Sequence, residues 1–528
     1  MGKGVNPILP LWEYIPDGEP HVFGDRLYLF GSHEIEGGKR YCCAENYVGW
    51  SAPLSDPTNW EYAGVIYEAK QDPDYEAGVT CDMYAPDVVQ GNDGRFYLYY
   101  NFGNSFCDKL RVAVSDSPNG KYEYLGYVRN PDGSVFNEYI VSDPAVINDD
   151  GVIRVYAGWS LSMVAAGAHA KGKGSEHEDR INPNAGGQMS GSQTGGGQRP
   201  QMPEPGSPMM KYALKPIYRM MFHKTDEQID ALEMPLMGAN TFELEEDMLT
   251  VKDGLKRIVA GQFDTPKDSG FFGHAFYEAS SIRKIEGKYY FIYSSENSNE
   301  LCYAISDYPD KDFVYGGTII SNGDVGYKGR KAEDRLNMTA NDHGSLECIN
   351  GQWYIFHHRQ THRSTYSRQA CAEKVWINED GSIDQVECTS MGLNDGPLEA
   401  RGTYPAAISC VLTNGHMPHC TNTILEDDIP YITNDGDERY ITGITEGTTI
   451  GYKYFDFAGK TGLAICYRAE GQGKLEAYAG DDKAGEFMID NAEDWTTAGV
   501  EIKAEGTKAL YLKYTGTDRM ELKEIIFS

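Results

Sequence analysis

The stretch AFYEASSIRKIEGKYYFIYSS (275–295) contains the pattern that decides the fold. In it a titratable residue, Glu278, precedes a short apolar run, a turn that ends on glycine, and a strand rich in aromatic residues. The pattern occurs five times, with 7 to 9 residues from the leading residue to the turn glycine. That spacing equals about one strand plus a turn. The leading residues are Asp17, Asp87, Asp143, Glu278 and His343.

The spacing of the repeats predicts the architecture. Successive turn glycines are separated by 70, 57, 136 and 64 residues, so one gap is about twice the others. Hairpins repeated about every 60 residues are typical of a β-propeller. The long gap contains residues 165–210, rich in Gly, Gln, Ser and Pro without periodicity, which predict a flexible insertion that is either a lid or inert. We therefore expect an all-β fold with a five-bladed β-propeller at residues 1–400.

The leading residues are candidates for a functional site. If each begins the innermost strand of a blade, all five converge at one mouth of the central channel. Four carboxylates and an imidazole placed together would repel one another and lose solvation unless function requires them. The simpler alternative is that Asp17 and Asp143 are ordinary turn residues, since Pro-Asp-Gly and Asp-Pro are common in turns.

Composition excludes several classes of partner. The net charge of −32 argues against nucleic acid and anionic membranes, which select basic surfaces. No run of apolar residues is long enough for a membrane span. Eleven cysteines and the lack of a signal-peptide pattern before the first prolines fit a reducing compartment. The sequence therefore predicts a cytoplasmic protein.

The character of the chain changes after about residue 400. Residues 401–430 are polar and predict a linker, and residues 431–528 contain several short strand patterns that predict a small β-sandwich.

The predicted channel suits glycoside hydrolysis. This reaction needs a protonated carboxyl group for the leaving oxygen and a carboxylate that activates water on the opposite face of the sugar. A third carboxylate nearby raises the pKa of the acid. The 37 tyrosines supply flat apolar faces for sugar rings.

The sequence resembles glycoside hydrolase family 43, the five-bladed inverting arabinofuranosidases, xylosidases and arabinanases. The resemblance covers roughly residues 5 to 400, and the matching pieces occur in family order. These pieces are NPILPLWEYIPDGEPHVFGDRLYLFGSH, MYAPDVV, VAVSDSPNG, VSDPAVINDDG, FYEASSIRKIEGKYYFIYSS and DHGSLECINGQWYIFHHR.

The resemblance implies roles for individual residues. Asp17 is expected to be the general base, Glu278 the general acid, and Asp143 the residue that tunes and orients the acid. The substrate-binding residues are expected to be His33, Tyr84 and Arg359, with Arg359 reaching a sugar hydroxyl or a catalytic carboxylate. His343 is expected beside an axial water or ion, often calcium in relatives; alternatively it hydrogen-bonds a core carboxylate. Two departures from the family pattern are Gly18 after Asp17 and Tyr84 in place of the usual Trp.

The C-terminal region resembles carbohydrate-binding modules of family 6. Trp495 and Tyr440 are candidates for stacking on sugar, although a Trp in such a domain is as often part of the core. The domain either binds glycan or serves only to support the propeller.

The function expected from these observations is release of terminal L-arabinofuranosyl or D-xylosyl residues from hemicellulose oligosaccharides, with no required cofactor. One alternative is a retaining fructan hydrolase, but its Arg-Asp-Pro and Glu-Cys signatures are replaced by Ser142 before Asp143 and Ala279 after Glu278. The other is a sugar-binding propeller without catalysis, for which three retained acidic positions would have no use.

Overall fold

A computed structural model describes residues 4–103, 109–168 and 203–528. Most of the predicted insertion at 165–210 therefore lies outside the described residues. Its two ends lie between the second and third strands of the third blade.

The propeller prediction is confirmed: five antiparallel sheets follow one another along the chain, and each begins with the strand predicted to be innermost. Blade one contains β1 (Glu19–Phe23), β2 (Arg26–Phe30), β3 (Asn46–Pro53) and β4 (Glu61–Glu68). Blade two contains β5 (Asp87–Gln90), β6 (Phe96–Tyr100), β7 (Arg111–Ser115) and β8 (Glu123–Tyr127). Blade three contains β9 (Ala145–Asp149), β10 (Val152–Trp159), β11 (Gly238–Leu244) and β12 (Val251–Ala260). Blade four contains β13 (Phe276–Ile285), β14 (Lys288–Ser295), β15 (Glu300–Ser306) and β16 (Val314–Ser321). Blade five has the three strands β17 (Leu346–Ile349), β18 (Gln352–Thr361) and β19 (Ser364–Val375).

In the described residues between β10 and β11, three helices are present, at Met163–Ala168, Pro208–Phe222 and Asp226–Ala231. Thr225 caps the last of them, because its hydroxyl accepts from the amide of Gln228 and the Gln228 side chain accepts from the amide of Thr225.

The predicted turns form because their residues accept left-handed backbone angles. In the β13–β14 hairpin Glu286 and Gly287 have φ of 51° and 83°. Positive φ at two successive residues gives a turn whose twist matches the flanking strands. Behind such hairpins the aromatic residues of neighbouring blades pack together; Tyr156 of blade three, for example, shares a core with Phe291 of blade four.

The N-terminal segment closes the ring by lying against the last blade. The amide of Ile8 donates to the carbonyl of Ala370 at 3.0 Å. The Asn6 side chain exchanges hydrogen bonds with the backbone of Ala372, at 3.1 Å to its carbonyl and 2.9 Å from its amide. On the other side, the amide of Asn6 donates to the carbonyl of Ser390 at 3.2 Å. The start of the chain therefore extends a blade that ends more than 360 residues later.

The C-terminal part is a ten-stranded sheet domain with its own hydrophobic core. Its strands are β20 (Leu398–Glu399), β21 (Gly402–Pro405), β22 (Val411–Thr413), β23 (Tyr431–Asp435), β24 (Glu438–Ile444), β25 (Thr449–Ala469), β26 (Gly473–Ala479), β27 (Asp482–Ile489), β28 (Ala492–Gly516) and β29 (Met520–Phe527). Residues 401–430 were predicted to be a linker, but they contain strands of this sheet: β21 pairs with β29, and β22 pairs with β25. Their first part belongs to the sheet domain, since Tyr404, Ile408 and Leu412 are part of the same core.

Among the helices of the described ranges, none combines the length and the apolar character that crossing a membrane requires.

Candidate active site

Asp17, Asp143 and Glu278 lie together at one end of the channel, as the repeat pattern predicted. A carboxylate oxygen of Asp143 accepts a hydrogen bond of 3.1 Å from the amide of Ala279, the residue after Glu278. Asp17 interacts electrostatically with both other carboxyl groups. Asp17 and Asp143 have φ of 58° and 49° and each stands two residues ahead of an innermost strand. Left-handed geometry at non-glycine residues is costly and is found at functional sites.

A β-bulge directs Glu278 into the site. The pairing of β13 with β14 shifts register on both sides of Glu278, and Ala279 has φ of 67°. Bulges of this kind reorient a side chain that regular alternation would place elsewhere. Asn341 donates from Nδ2 to Glu278 Oε1 at 3.3 Å, which fixes the position of the carboxyl group.

Asp17 is a buried carboxylate held by hydrogen-bond donors. Arg368 Nη1 donates to its Oδ1 at 2.7 Å, and the hydroxyl of Ser32 donates to its Oδ2 at 2.7 Å. Burial alone would raise the pKa of Asp17, but Arg368, two nearby histidines and Ser32 outweigh it and lower the pKa to about 2. Asp17 is therefore ionised at neutral pH.

Arg368 was missed by the sequence analysis. It is buried on β19 and also binds Glu34, with Nε at 3.0 Å and Nη2 at 2.8 Å from Oε1. The ring of Tyr41 lies 4.7 Å from its guanidinium carbon. The available signal was a single Arg among small uncharged residues in STYSRQACA. Glu34 neutralises one end of Arg368 and leaves the other for Asp17.

His358 connects Asp17 with Asn341, the residue that binds Glu278. Its Nδ1 accepts from the amide of Asp17 at 3.3 Å, so the proton of the ring is on Nε2, which donates to the carbonyl of Asn341 at 2.9 Å. Burial and the charge of Arg368 hold the pKa of His358 well below its usual value, so the ring is neutral. The backbone of Asp17 is thereby linked to the residue that positions Glu278.

Glu278 is shifted in the opposite direction from Asp17. Burial first, and then the negative charge of Asp143, raise the pKa of Glu278 to about 8. Burial and the nearby Asp17 also raise the pKa of Asp143, against the opposing effect of His343. One carboxyl group of the site is thus protonated near neutral pH while another is ionised.

His33 and Tyr84 lie near this end of the propeller but have protein partners. His33 follows Ser32, and its ring nitrogens contact Asn46 at 2.8 Å and Glu13 at 3.1 Å. Tyr84 is partly exposed ahead of β5, with its hydroxyl 3.5 Å from a carboxylate oxygen of Asp82. The ring of Tyr84 therefore remains a candidate sugar contact, whereas both ring nitrogens of His33 already have protein partners.

The structure places Arg359 elsewhere, which corrects the sequence-based assignment. Its guanidinium donates to the backbone carbonyls of Ser409 at 2.7 Å and Ala407 at 2.5 Å, both in the C-terminal region. In the register of β18 with β19, Arg359 is opposite Gln369 and Arg368 is opposite Gln360. Since side chains alternate along a strand, the two arginines project from opposite faces of blade five.

His343 lies beside Asp17, with Nδ1 at 3.7 Å from Oδ1. Calcium takes six to eight oxygen ligands. Among the described residues, Asp17, Asp143 and His358 interact with His343, and Oδ1 of Asp17 already accepts from Arg368. Two carboxylates are fewer oxygen ligands than calcium takes, and calcium beside His343 stays a prediction.

Asp87 does not join the other leading residues, contrary to the prediction. It pairs with Tyr99 as Glu19 pairs with Phe30, so it stands two residues further along its strand than Asp17 does. Its carboxylate accepts from the amides of Val88 and Val146, and it contacts His21 at 2.6 Å. Asp87 ties the first three blades together.

Trp495 and Tyr440 meet on the surface of the C-terminal domain, with ring centroids 5.4 Å apart. The guanidinium carbon of Arg468 is 4.2 Å from the Trp495 ring, and the ammonium group of Lys523 is 5.4 Å from it. The indole NH donates to Glu438 at 2.8 Å. The Trp495 ring is therefore packed between charged side chains.

Comparison with known proteins finds relatives that are named as xylosidase/arabinosidases. A xylosidase/arabinosidase of Thermoclostridium stercorarium is 38% identical over 537 residues, covering 98% of this chain and 97% of the relative. Xylosidase/arabinosidase 43A of Humicola insolens is 26% identical, covering 70% of this chain and 96% of the relative. No protein-family model matches the chain.

Among solved structures, a glycoside hydrolase family 43 arabinoxylan arabinofuranohydrolase from Bacillus subtilis, in complex with cellotetraose, superimposes with a TM-score of 0.48 at 19% identity. The match covers 99% of this chain and 97% of that one.

Proposed function

We propose that this chain, which belongs to glycoside hydrolase family 43 and releases arabinose or xylose, cleaves terminal pentosyl units from hemicellulose oligosaccharides with inversion. Asp17, Asp143 and Glu278 carry out the chemistry in this proposal. The observation that supports it best is the opposite shift of two pKa values in one site, about 2 for Asp17 and about 8 for Glu278. Such a pair assigns the base and the acid.

Glu278 is the general acid. At neutral pH its carboxyl group carries the proton that the leaving glycosidic oxygen needs when the bond to the anomeric carbon breaks. Asp143 supports this in two ways: its charge keeps that proton in place, and its hydrogen bond to the amide of Ala279 holds the bulge that aims Glu278.

Asp17 is the general base. It accepts a proton from the water whose oxygen attacks the anomeric carbon, so the sugar gains hydroxide and the leaving group gains the proton of Glu278. Arg368, Ser32 and the backbone contact to His358 keep the carboxylate in one orientation. Return of a proton from Asp17 to Glu278 through solvent completes the cycle.

Leaving-group dependence tests this assignment. Glu278→Gln is expected to lose at least about 10³-fold in kcat on xylobiose or an arabinosylated xylo-oligosaccharide, but much less on a dinitrophenyl glycoside, whose leaving group needs no acid. Asp17→Asn is expected to fail on both substrates, because water must be activated in either case. Equal losses on both substrates for Glu278→Gln would contradict its role as acid.

Product stereochemistry separates the proposal from a retaining mechanism. Proton NMR of the first-formed sugar is expected to show the anomer opposite to that of the substrate. Retention would remove Asp17 from the role of base and make it a nucleophile. Binding of oligosaccharide without any turnover would favour the sugar-binding alternative.

The C-terminal domain supports the propeller rather than binding glycan in this proposal. Lys453 is buried between Asp324 at 2.7 Å and Glu387 at 2.9 Å, which links the domain to the propeller. The partly exposed ring of Trp495 already lies beside the charged groups of Arg468 and Lys523. Cytoplasmic location remains a prediction, which cell fractionation would test.

A further inference from the structure

A cavity whose lining is mainly apolar but includes several polar side chains separates blade five from the C-terminal domain, on the face of the blade opposite Arg368. It is lined by residues of β18, β19 and the segment that leads into the C-terminal sheet, including His357, Arg359, Glu373 and Ser409. The space open to water centres is about 40 Å³. A cavity needs about 10–15 Å³ of such space for one water, so this one holds about three waters or one small ion.

Arg359 brings a positive charge to this cavity, and no carboxylate among the described residues forms an ion pair with it. Of its five N–H donors, the two carbonyl groups of Ser409 and Ala407 take two. Its Nε atom is buried and has no hydrogen-bond partner among the described residues. Burial lowers the pKa of Arg359 from its usual value, but arginine stays protonated in proteins. The Arg359 side chain is only partly exposed, and a charge partly removed from water gains free energy from a counter-charge.

His357 adds further unmatched donor capacity. Its side chain is buried, and within the described part of the chain neither ring nitrogen has a hydrogen-bond partner. The nearest carboxylate oxygen, of Asp342, is 3.7 Å from Nδ1, too far for a hydrogen bond. The Oγ of Ser409 is also without a hydrogen-bond partner in the described ranges. Three different side chains therefore have unused polar atoms in this region.

The acidic groups of the cavity do not neutralise Arg359. Glu373 accepts from Asn6 Nδ2 at 2.9 Å and from the amide and hydroxyl of Thr389 at 2.5 and 2.6 Å, and burial raises its pKa to about 7. Cys371, Cys388 and Cys410 direct their thiols at backbone carbonyls, and burial raises the pKa of each. These thiols are therefore neutral.

We infer that the cavity is a binding site for a small inorganic anion, of about the size of a halide, held by Arg359 and His357. The anion supplies the missing counter-charge and accepts hydrogen bonds from the unused N–H groups of Arg359. Because the carbonyl partners of Arg359 belong to the C-terminal region, the bound anion stabilises the contact between the two domains. The site is separate from the catalytic carboxylates and does not depend on the proposed mechanism.

Bromide is the direct probe, because its anomalous scattering identifies it against water. Crystals of the full chain soaked in sodium bromide are expected to show an anomalous peak within about 3.5 Å of Arg359 Nε. A map with only water at that position, beside ordered bromide at other sites, would overturn the inference.

Thermal unfolding tests the same site in solution at constant ionic strength. Replacing a large organic anion by bromide is expected to raise the Tm of the wild-type protein by about 1–3 °C. Arg359→Gln is expected to lose that increment, while Arg95→Gln, an exposed change in blade two, keeps it. If Arg359→Gln does not fold, Arg359→Lys serves instead, since a lysine cannot offer the Nε donor; an undiminished increment in that variant contradicts the site. Inorganic phosphate as a third salt distinguishes a halide-sized site, which excludes it, from one for an oxyanion.

Discussion

Asp143→Asn gives the sharpest test of how the site divides its protons. The substitution removes the negative charge near Glu278 but keeps an oxygen that accepts from the amide of Ala279. The geometry of the bulge is therefore retained, and the electrostatic contribution of Asp143 is measured alone.

The structure sets the size of the effect. The pKa of Glu278 rises from an ordinary value of 4.5 to about 8, and Asp143 is the second cause after burial. Because Asp143 acts beside burial and the smaller effect of Asp17, we expect the pKa of Glu278 to fall by about 1 in Asp143→Asn. A decrease of 1 corresponds to about 1.4 kcal/mol in favour of the ionised form.

The measurement is the pH profile of kcat/KM on an unactivated oligosaccharide. Activity needs protonated Glu278, so the rate falls as pH rises through its pKa. This basic limb is expected near pH 8 in the wild type and near pH 7 in the variant. Asp150→Asn, an exposed change in the hairpin of the same blade, is the control and should leave the limb in place. An active Asp143→Asn enzyme with an unmoved basic limb would refute the assignment of Asp143.

Three other outcomes follow from the same contacts. Because the pKa of Glu278 is raised, its contribution to stability is fully present below pH 4.5 and is lost as pH rises through about 8. At pH 9 Glu278→Gln should therefore be more stable than wild type, by about 1–3 kcal/mol in urea unfolding. Equal stability at pH 9 would show that the pKa of Glu278 is not raised. Arg368→Gln should lower kcat by at least about 10²-fold and destabilise the fold by about 3–5 kcal/mol, because it leaves a buried carboxylate unpaired, whereas Arg359→Gln should change kcat by less than about 3-fold; the reverse order in a kinetic comparison would restore Arg359 to the site. Trp495→Ala should leave hydrolysis of arabinoxylan unchanged, and a selective loss on polymer relative to oligomer would instead identify a glycan-binding surface.

The sequence predicted the blades well because the relevant signals are local. A turn such as Glu286–Gly287 and the alternating strands beside it need only a few neighbouring residues to form. Asp17, Asp143 and Glu278 could be found for the same reason, since each precedes the turn glycine of its own repeat by 7 to 9 residues.

The errors arose where position depends on distant packing. Asp17 and Asp87 are both 7 residues from their turn glycine, but the loop of blade two occupies residues 91–95 and that of blade one only 24–25. Counting residues to the turn glycine therefore placed Asp87 at the wrong position along its innermost strand. Arg359 and Arg368 differ in which face of blade five they occupy, and that depends on how β18 pairs with β19.

The contact of Asn6 and Ile8 with β19 has a consequence for synthesis of the protein. Their partners, Ala370 and Ala372, leave the ribosome more than 360 residues after them, which at 5–20 residues per second takes about 20–70 s. During that time the emerging chain is an open arc of blades whose first and last edges have no neighbour. Exposed strand edges invite pairing with other chains, so this interval is when the nascent polypeptide most needs protection by chaperones.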